Sequence, residues 1–284
     1  MAFVTLKELL TDAQRKRYAI GAFNTNNMEI VQAIVEAAVE ERAPVILQAS
    51  QGALRYAGID YIMGLVRAAE KSADIPIVMH LDHGTDFNQV MLCLRKGFTS
   101  VMFDGSKKPL EENIAATRKV VEVAHAMGVS VEAELGKIGG TEDDVTVSEH
   151  EASLTIPAEA ERFCAETKVD ALAVAIGTAH GAYKGEPKLD FARLREIRKL
   201  VDTPLVLHGA SGVPEEAVKR SIEYGICKVN IDTNIRQAFT KGVKEFIKEN
   251  PSVFDPRKIL GPAKEAMKEV IRAKIRLFGS NNKC

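Results

Sequence analysis

Eight times along this chain a run rich in Val, Ile, Leu and Ala ends in, or just before, a polar residue or a glycine and hands over to a longer segment. The runs are Tyr18–Asn24, Pro44–Ser50, Pro76–Gly84, Ser100–Gly105, Ser130–Leu135, Ala171–Thr178, Pro204–Gly209 and Ile226–Asp232. Strands that are apolar almost throughout, rather than at alternate positions, belong to parallel sheets covered on both faces. Helical patterns follow, at about Ile30–Ala38, Asp60–Ala73, Phe87–Lys96, Leu110–Met127, Pro157–Thr167, Phe191–Leu200, Glu215–Tyr224 and Asn234–Lys248. The fifth run is followed first by Gly136–Asp144, glycine-rich and acidic, a composition suited to a mobile active-site loop.

Eight strand-then-helix units predict an α/β fold, a single closed (β/α)₈ TIM barrel over residues 1–284. An additional N-terminal helix, Leu6–Arg17, places Leu6, Leu9, Leu10 and Ala13 on one face, and a C-terminal one spans about Pro262–Phe278. A doubly wound open sheet is the rival, but it uses fewer strands, and no glycine fingerprint follows the first strand. With 284 residues, 46% of them hydrophobic, the chain can bury a core of that size. A formal net charge of −1 and the absence of a dense Lys/Arg tract give no support to nucleic-acid or membrane binding. The N-terminus lacks a signal pattern, so a cytoplasmic protein is expected. Cys93, Cys164, Cys227 and Cys284 are too scattered for a disulfide framework or a cysteine zinc site and are expected to be buried or inert.

In a parallel barrel the chemistry gathers at the C-terminal ends of the strands. The polar residues there are Asn24, Ser50, Asp82, His83, Asp104, Glu134, His180, His208, Asn230 and Asp232. Three of them, His83, His180 and His208, sit at different strand tips, and three imidazoles around an open fourth position make a catalytic zinc site. Strand alternation sends His80, three positions before His83, to the opposite side; His125 and His150 are expected to face solvent. Asp82 is either a general acid/base beside the metal or a partner that orients a histidine. Asp104 and Glu134 are likewise either orienting partners or an alternative metal position. Gly209-Ala210-Ser211-Gly212 before a helix resembles an anion cradle, to which Gly181 and Lys184 could add a close backbone approach and a cation.

Five segments in order, each at a strand end, resemble the class II, metal-dependent fructose/tagatose-bisphosphate aldolases. They are His80-Leu81-Asp82-His83, Val131–Gly136 with Gly139–Asp143, Ala175–Gly181, Leu207–Gly212 and Val229–Thr233. The resemblance spans essentially the whole chain. It implies one catalytic Zn²⁺ on His83, His180 and His208, with Asp104 and Glu134 at a second or alternative position and a monovalent cation as a further possible cofactor. It assigns Asp82 to proton exchange with the C4 hydroxyl and Glu142 to proton exchange at the nucleophilic carbon of dihydroxyacetone phosphate. The phosphate end of that product would rest on Gly181, Lys184, Gly209, Ser211, Asn230 and Thr233.

The reaction implied is reversible cleavage of a ketose bisphosphate through a zinc-stabilised enediolate, with no Schiff-base lysine. Lys228, inside the eighth strand, is the residue a lysine mechanism would need. Asn230-Ile231-Asp232-Thr233 followed by Arg236 matches the fructose-type pattern, with Asp232 on the C4 hydroxyl and Arg236 on the far phosphate; Asn234 departs from it. Ser50 and Arg257 are further candidates for that phosphate, Arg257 in its own or a neighbouring subunit's site. The alternatives are a tagatose-1,6-bisphosphate aldolase with the same mechanism, a metal-dependent barrel hydrolase and a sugar-phosphate-binding subunit. The family also implies a homodimer or homotetramer.

Overall fold

The computed structural model describes residues 3–142, 145–148, 150–183 and 185–284. The chain opens with α1 (Leu6–Lys16), begun by a capping box in which Thr5 and Glu8 satisfy each other's backbone N–H groups. There follow β1 (Ile20–Asn24), α2 (Met28–Glu40), β2 (Val45–Ser50), α3 (Gln51–Ala57), α4 (Ile59–Ser72), β3 (Ile77–Gly84), α5 (Phe87–Lys96), β4 (Ser100–Phe103), α6 (Leu110–Ala126) and β5 (Ser130–Leu135). Two short strands, β6 (Gly139–Glu142) and β7 (Val145–Val147), precede α7 (Pro157–Thr167), β8 (Ala171–Val174) and β9 (Ala179–His180). Then come α8 (Phe191–Leu200), β10 (Leu205–Leu207), α9 (Glu215–Glu223), β11 (Ile226–Ile231), α10 (Thr233–Glu249) and α11 (Pro256–Phe278).

Eight of the strands close the barrel expected, in the circular order β1, β2, β3, β4, β5, β8, β10, β11, every pair parallel. Its lower interior is apolar. Ile20, Ala22, Ile46, Val78, Met102, Ala171, Ala173 and Val206 form one cluster with Leu6, Leu9, Leu10 and Ala13 of α1. The amphipathic N-terminal helix is therefore the plug of the barrel floor, each fully buried large side chain contributing about 1.5–3 kcal/mol. Two residues further along four of these strands the same inward face turns polar: Ala22 gives way to Asn24, Ile46 to Gln48, Val78 to His80 and Val206 to His208.

Four details differ from the sequence expectation. The second connection holds two helices, because Ser50 caps α3 by accepting from Ala53 N and Gly58, at φ 84°, ends it one residue before α4 starts. Gly136–Glu142 is not an irregular loop: β6 pairs antiparallel with β7 and parallel with β9, a three-stranded sheet at the barrel mouth. The sixth barrel strand stops at Val174, and His180 is carried by β9. The last helix starts at Pro256, where Asp255 caps it and a proline fits the first turn, and it keeps Pro262 within its length.

α10 and α11 pack antiparallel, with Gly242 of the first against Ala263 of the second. α11 is tied to α2 by Lys264–Glu36, Lys268–Glu40, Arg272–Glu40 and Arg276–Glu41 ion pairs. Among the described residues no helix is long and apolar enough to cross a membrane. All four cysteines are free, and Cys284, expected to be buried or inert, is exposed.

Candidate active site

The geometry of the site begins with one backbone torsion. Val78, His80 and Asp82 share the inward face of β3, and regular alternation would turn His83 outward. His83 instead takes φ 50°, the left-handed region, and the pairing of β3 with β4 slips between Leu81 and Gly84. Its ring comes back to the barrel axis, so His80, Asp82 and His83 all end inside, with His80 and Asp82 fully buried. The expectation that His80 and His83 point to opposite sides fails for this reason. A non-glycine residue held there costs of order 1–3 kcal/mol, a strain that concentrates at functional sites.

His83, His180 and His208 converge: their ring centroids are 4.8–5.8 Å apart, and ring nitrogens of the three lie within 4.8 Å of one another. Asp104 and Glu132 determine how the rings are protonated. His83 Nδ1 is 3.0 Å from Asp104 Oδ2, and His208 Nε2 is 2.8 Å from Glu132 Oε1. Burial pushes the Asp104 carboxyl up, but the hydrogen bond and charge of His83 outweigh it and hold the group well below the usual range. Burial likewise opposes ionisation of Glu132 and is outweighed first by the charge of Lys228. Ionised carboxylates only accept, so each histidine donates to its acid and turns its other nitrogen to the centre.

Those two nitrogens, His83 Nε2 and His208 Nδ1, face each other at 3.0 Å. Nitrogens so placed can share a proton or turn together to a metal ion beside them, and burial lowers the pKa of His208 to about 4, so its ring is neutral and ready to ligate. The donor set therefore fits a divalent metal with nitrogen ligands. A second group, His83, Asp104 and Glu134, also brings its donor atoms within 4.8 Å. Burial, then the charge of Asp104, pushes the Glu134 carboxyl well up, and its Oε2 has no hydrogen-bond partner among the described residues.

Asp82 lies beside the histidines in a cage of amides. Asn24 Nδ2 donates to Oδ2 at 2.8 Å, Gln48 Nε2 to the same oxygen at 3.0 Å and Asn230 Nδ2 to Oδ1 at 3.3 Å. Gln48 also donates to Asn24 Oδ1 at 2.6 Å. Neither Gln48 nor Glu132 was among the sequence candidates. Both break an apolar strand at an inward position, Glu132 two residues before Glu134, and that periodicity was the available signal.

Above this buried layer opens a cavity of 730 Å³ lined by Thr141, His180, Gly181, Gly209, Ser211, Asn230, Asp232, Thr233 and the Arg236–Glu245 face of α10. Gly209 has φ 65°, and a Cβ there would stand 2.5 Å from Ala179 O, so only glycine permits the β10 loop to pass so close. Tyr183, another residue absent from the sequence candidates, clamps the same loops: its hydroxyl accepts from Ala179 N and donates to Gly209 O. Ser211 Oγ accepts from Asp232 N at 3.2 Å, and Asp232 pairs with Arg236 at 2.7 Å.

Most sequence candidates are thus brought together. Ser50 is buried beside Asp82 in register but serves as the cap of α3. Arg257 stands apart, at the start of α11, 90% exposed and paired with Asp255. Glu142 ends β6 next to Thr141; its side chain, and Lys184 as a whole, lie outside the described residues. His150 and His125 are both exposed as expected, and His125 also bonds Asp170 at 2.8 Å. Lys228 is fully buried beneath His208 and paired with Glu132 at 2.9 Å, and it does not line the cavity.

A family model described as "Fructose-bisphosphate aldolase class-II" matches residues 4–283. The chain is 50% identical to a fructose-bisphosphate aldolase of Thermus caldophilus, over 98% of each chain. It is 48% identical to one of Geobacillus stearothermophilus, over 100% of this chain and 99% of the relative. Among solved structures it is similar to the YdjI aldolase of Escherichia coli K12, with a TM-score of 0.88, 33% identity and 99% of each chain covered. A putative fructose-1,6-bisphosphate aldolase of Coccidioides immitis gives a TM-score of 0.90 at 32% identity, over 98% of this chain and 97% of that one.

Proposed function

The chain belongs to the class II fructose-bisphosphate aldolase family and is a lyase that cleaves fructose 1,6-bisphosphate; we propose that His83, His180 and His208 hold its zinc and that Asp82 moves the proton. The carrying observation is the convergence of the three imidazoles, with His83 Nε2 and His208 Nδ1 facing each other and the far nitrogen of each ring bonded to a carboxylate. Bound there, a divalent ion would polarise the ketose carbonyl and stabilise the negative charge that develops as the C3–C4 bond breaks.

The protein's own groups do the rest. Asp82, its carboxylate fixed by Asn24, Gln48 and Asn230, takes the proton of the C4 hydroxyl as the C4 carbonyl forms. Glu142, at the end of β6, returns a proton to C3, completing dihydroxyacetone phosphate. The phosphate of that half rests on the Gly181, Gly209 and Ser211 backbone and on Thr233 at the first turn of α10, where N–H groups and the helix dipole favour an anion. Lys184 adds its charge to the same end, and Arg236 faces the other phosphate. The His83–Asp104–Glu134 group is an alternative metal position, not a simultaneous one, because His83 Nδ1 cannot both donate to Asp104 and ligate.

The exposed Tyr56, Tyr61 and Phe254 are consistent with a homo-oligomer, which light scattering would measure. The functional test is cleavage of fructose and tagatose 1,6-bisphosphates side by side, with and without a chelator. Cleavage that prefers the fructose epimer, is lost with chelator and returns with Zn²⁺ is the expected result. Chelator-resistant cleavage would discard the histidine centre and reopen the case for Lys228.

A further inference from the structure

We infer that Tyr183 is a positioning residue for the metal centre: its hydroxyl ties the loop that carries His180 to the loop that carries His208, and so sets the spacing of these two ligands. The inference rests on the metal reading above and concerns a residue outside the ligand set. His83 lies within the barrel strand β3 and His208 directly after β10, each backed by a carboxylate. His180 sits instead on β9, two residues long and part of the small sheet at the mouth. Its place relative to the barrel therefore depends on what joins β9 to the barrel loops.

On one side β9 meets β6: Gly139 and Gly140 pair with Ala179 and His180, and a Cβ on Gly140 would collide with His180 O. On the other side is the Gly209 loop, and there Tyr183 makes the join. Its hydroxyl accepts from Ala179 N at 2.7 Å and donates to Gly209 O at 2.8 Å. Ala179 immediately precedes His180 and Gly209 immediately follows His208, so a single oxygen spans the two ligand positions. A turn at Gly181, φ 87°, brings residue 183 back to Ala179. The ring is braced in turn: it packs on the main apolar core and lies so close to Gly212 that a Cβ there would stand 2.6 Å from its Cδ2. A hydroxyl both donates and accepts, which this join requires and a phenylalanine ring of the same shape lacks. Imidazole–metal bonds are short, so drift of β9 against the Gly209 loop weakens the centre although no ligand is altered.

The test uses the whole protein, freed of metal and reloaded. Tyr183→Phe keeps the ring and removes both hydrogen bonds. It is expected to weaken Zn²⁺ binding about 10–100-fold in chelator competition, the usual effect of losing a group that orients a ligand, and to change the visible spectrum of the Co²⁺-loaded protein. A merely structural tyrosine would lower the stability of the metal-free protein and leave zinc affinity and the Co²⁺ spectrum as in the wild type, and that result overturns the inference. If Tyr183→Phe does not fold, amide hydrogen exchange in the metal-free wild type decides instead: slow exchange at Ala179 is expected, and exchange as fast as in an open loop overturns the join. His180→Ala separates the two readings. Zinc lost there but held as tightly as in the wild type by Tyr183→Phe refutes the role of Tyr183 alone, whereas unchanged zinc affinity in His180→Ala refutes the metal site itself.

Discussion

The lower and upper halves of the barrel interior are made by the same strands and the same alternation, yet they are opposite in character. Below, Ile20, Ala22, Ile46, Val78, Met102 and Val206 pack against the α1 plug with no polar atom to satisfy. Above, Gln48, His80, Asp82, Glu132, His208, Lys228 and Asn230 are as deeply buried and are joined by hydrogen bonds and ion pairs. The lower half contributes folding free energy through apolar burial. The upper half costs desolvation, which its own partners offset only in part, since Gln48 Oε1, His80 Nε2, Glu132 Oε2 and Asn230 Oδ1 have no hydrogen-bond partner among the described residues, and it returns side chains held in place by their bonds. Stability and precise placement are thus separated along the barrel axis.

This contrast is easiest to break from the top. Asp82→Ala is expected to lower kcat about 10²–10⁴-fold, the usual worth of a positioned acid/base, while the purified variant still carries zinc. Metal analysis beside steady-state kinetics checks it, and loss of zinc with the turnover would make Asp82 structural. From the bottom the expected change is in the other observable. Ile46→Ala, at a fully buried position of the lower cluster, should cost about 2–5 kcal/mol in denaturant unfolding, with kcat and KM at 25 °C changed less than about twofold. A large loss of activity in the still-folded variant would show that the two halves are coupled.

The smallest effect lies outside the barrel, where α11 meets α2. Burial pushes Glu36 up, but hydrogen bonds from Lys264 and Lys268 hold it below its ordinary 4.5, and Glu40 is lowered chiefly by the Lys268 bond. A depressed folded-state pKa means that the unfolded chain binds more protons, so this stabilisation is full above the ordinary value and is lost as pH falls through the folded one. These carboxylates are about 40% exposed and therefore screened by solvent, and such pairs contribute about 1 kcal/mol or less. Between pH 7 and pH 4 the wild type should therefore lose no more than about 2–4 °C of Tm in excess of Lys268→Met. A larger excess, by calorimetry, would mean that the network outside the barrel rivals its core.

The sequence by itself determined the barrel, because a strand's apolar run and a helix's 3.6-residue period are local signals, repeated eight times here. It also determined that His83, His208 and Asp82 end at strand tips, since position along a strand sets height in the barrel. What it could not determine was which way His83 turns: alternation predicts outward, and only the slip against β4 lets a left-handed residue bring the ring back. Nor could it show that His180 rides on a small sheet at the mouth, or that Glu132 and Lys228, 96 positions apart, share a bond beneath His208. Those facts depend on which strands become neighbours and at what stagger. A pattern within one strand carries no information about its neighbour's register, so closure of the barrel decided them.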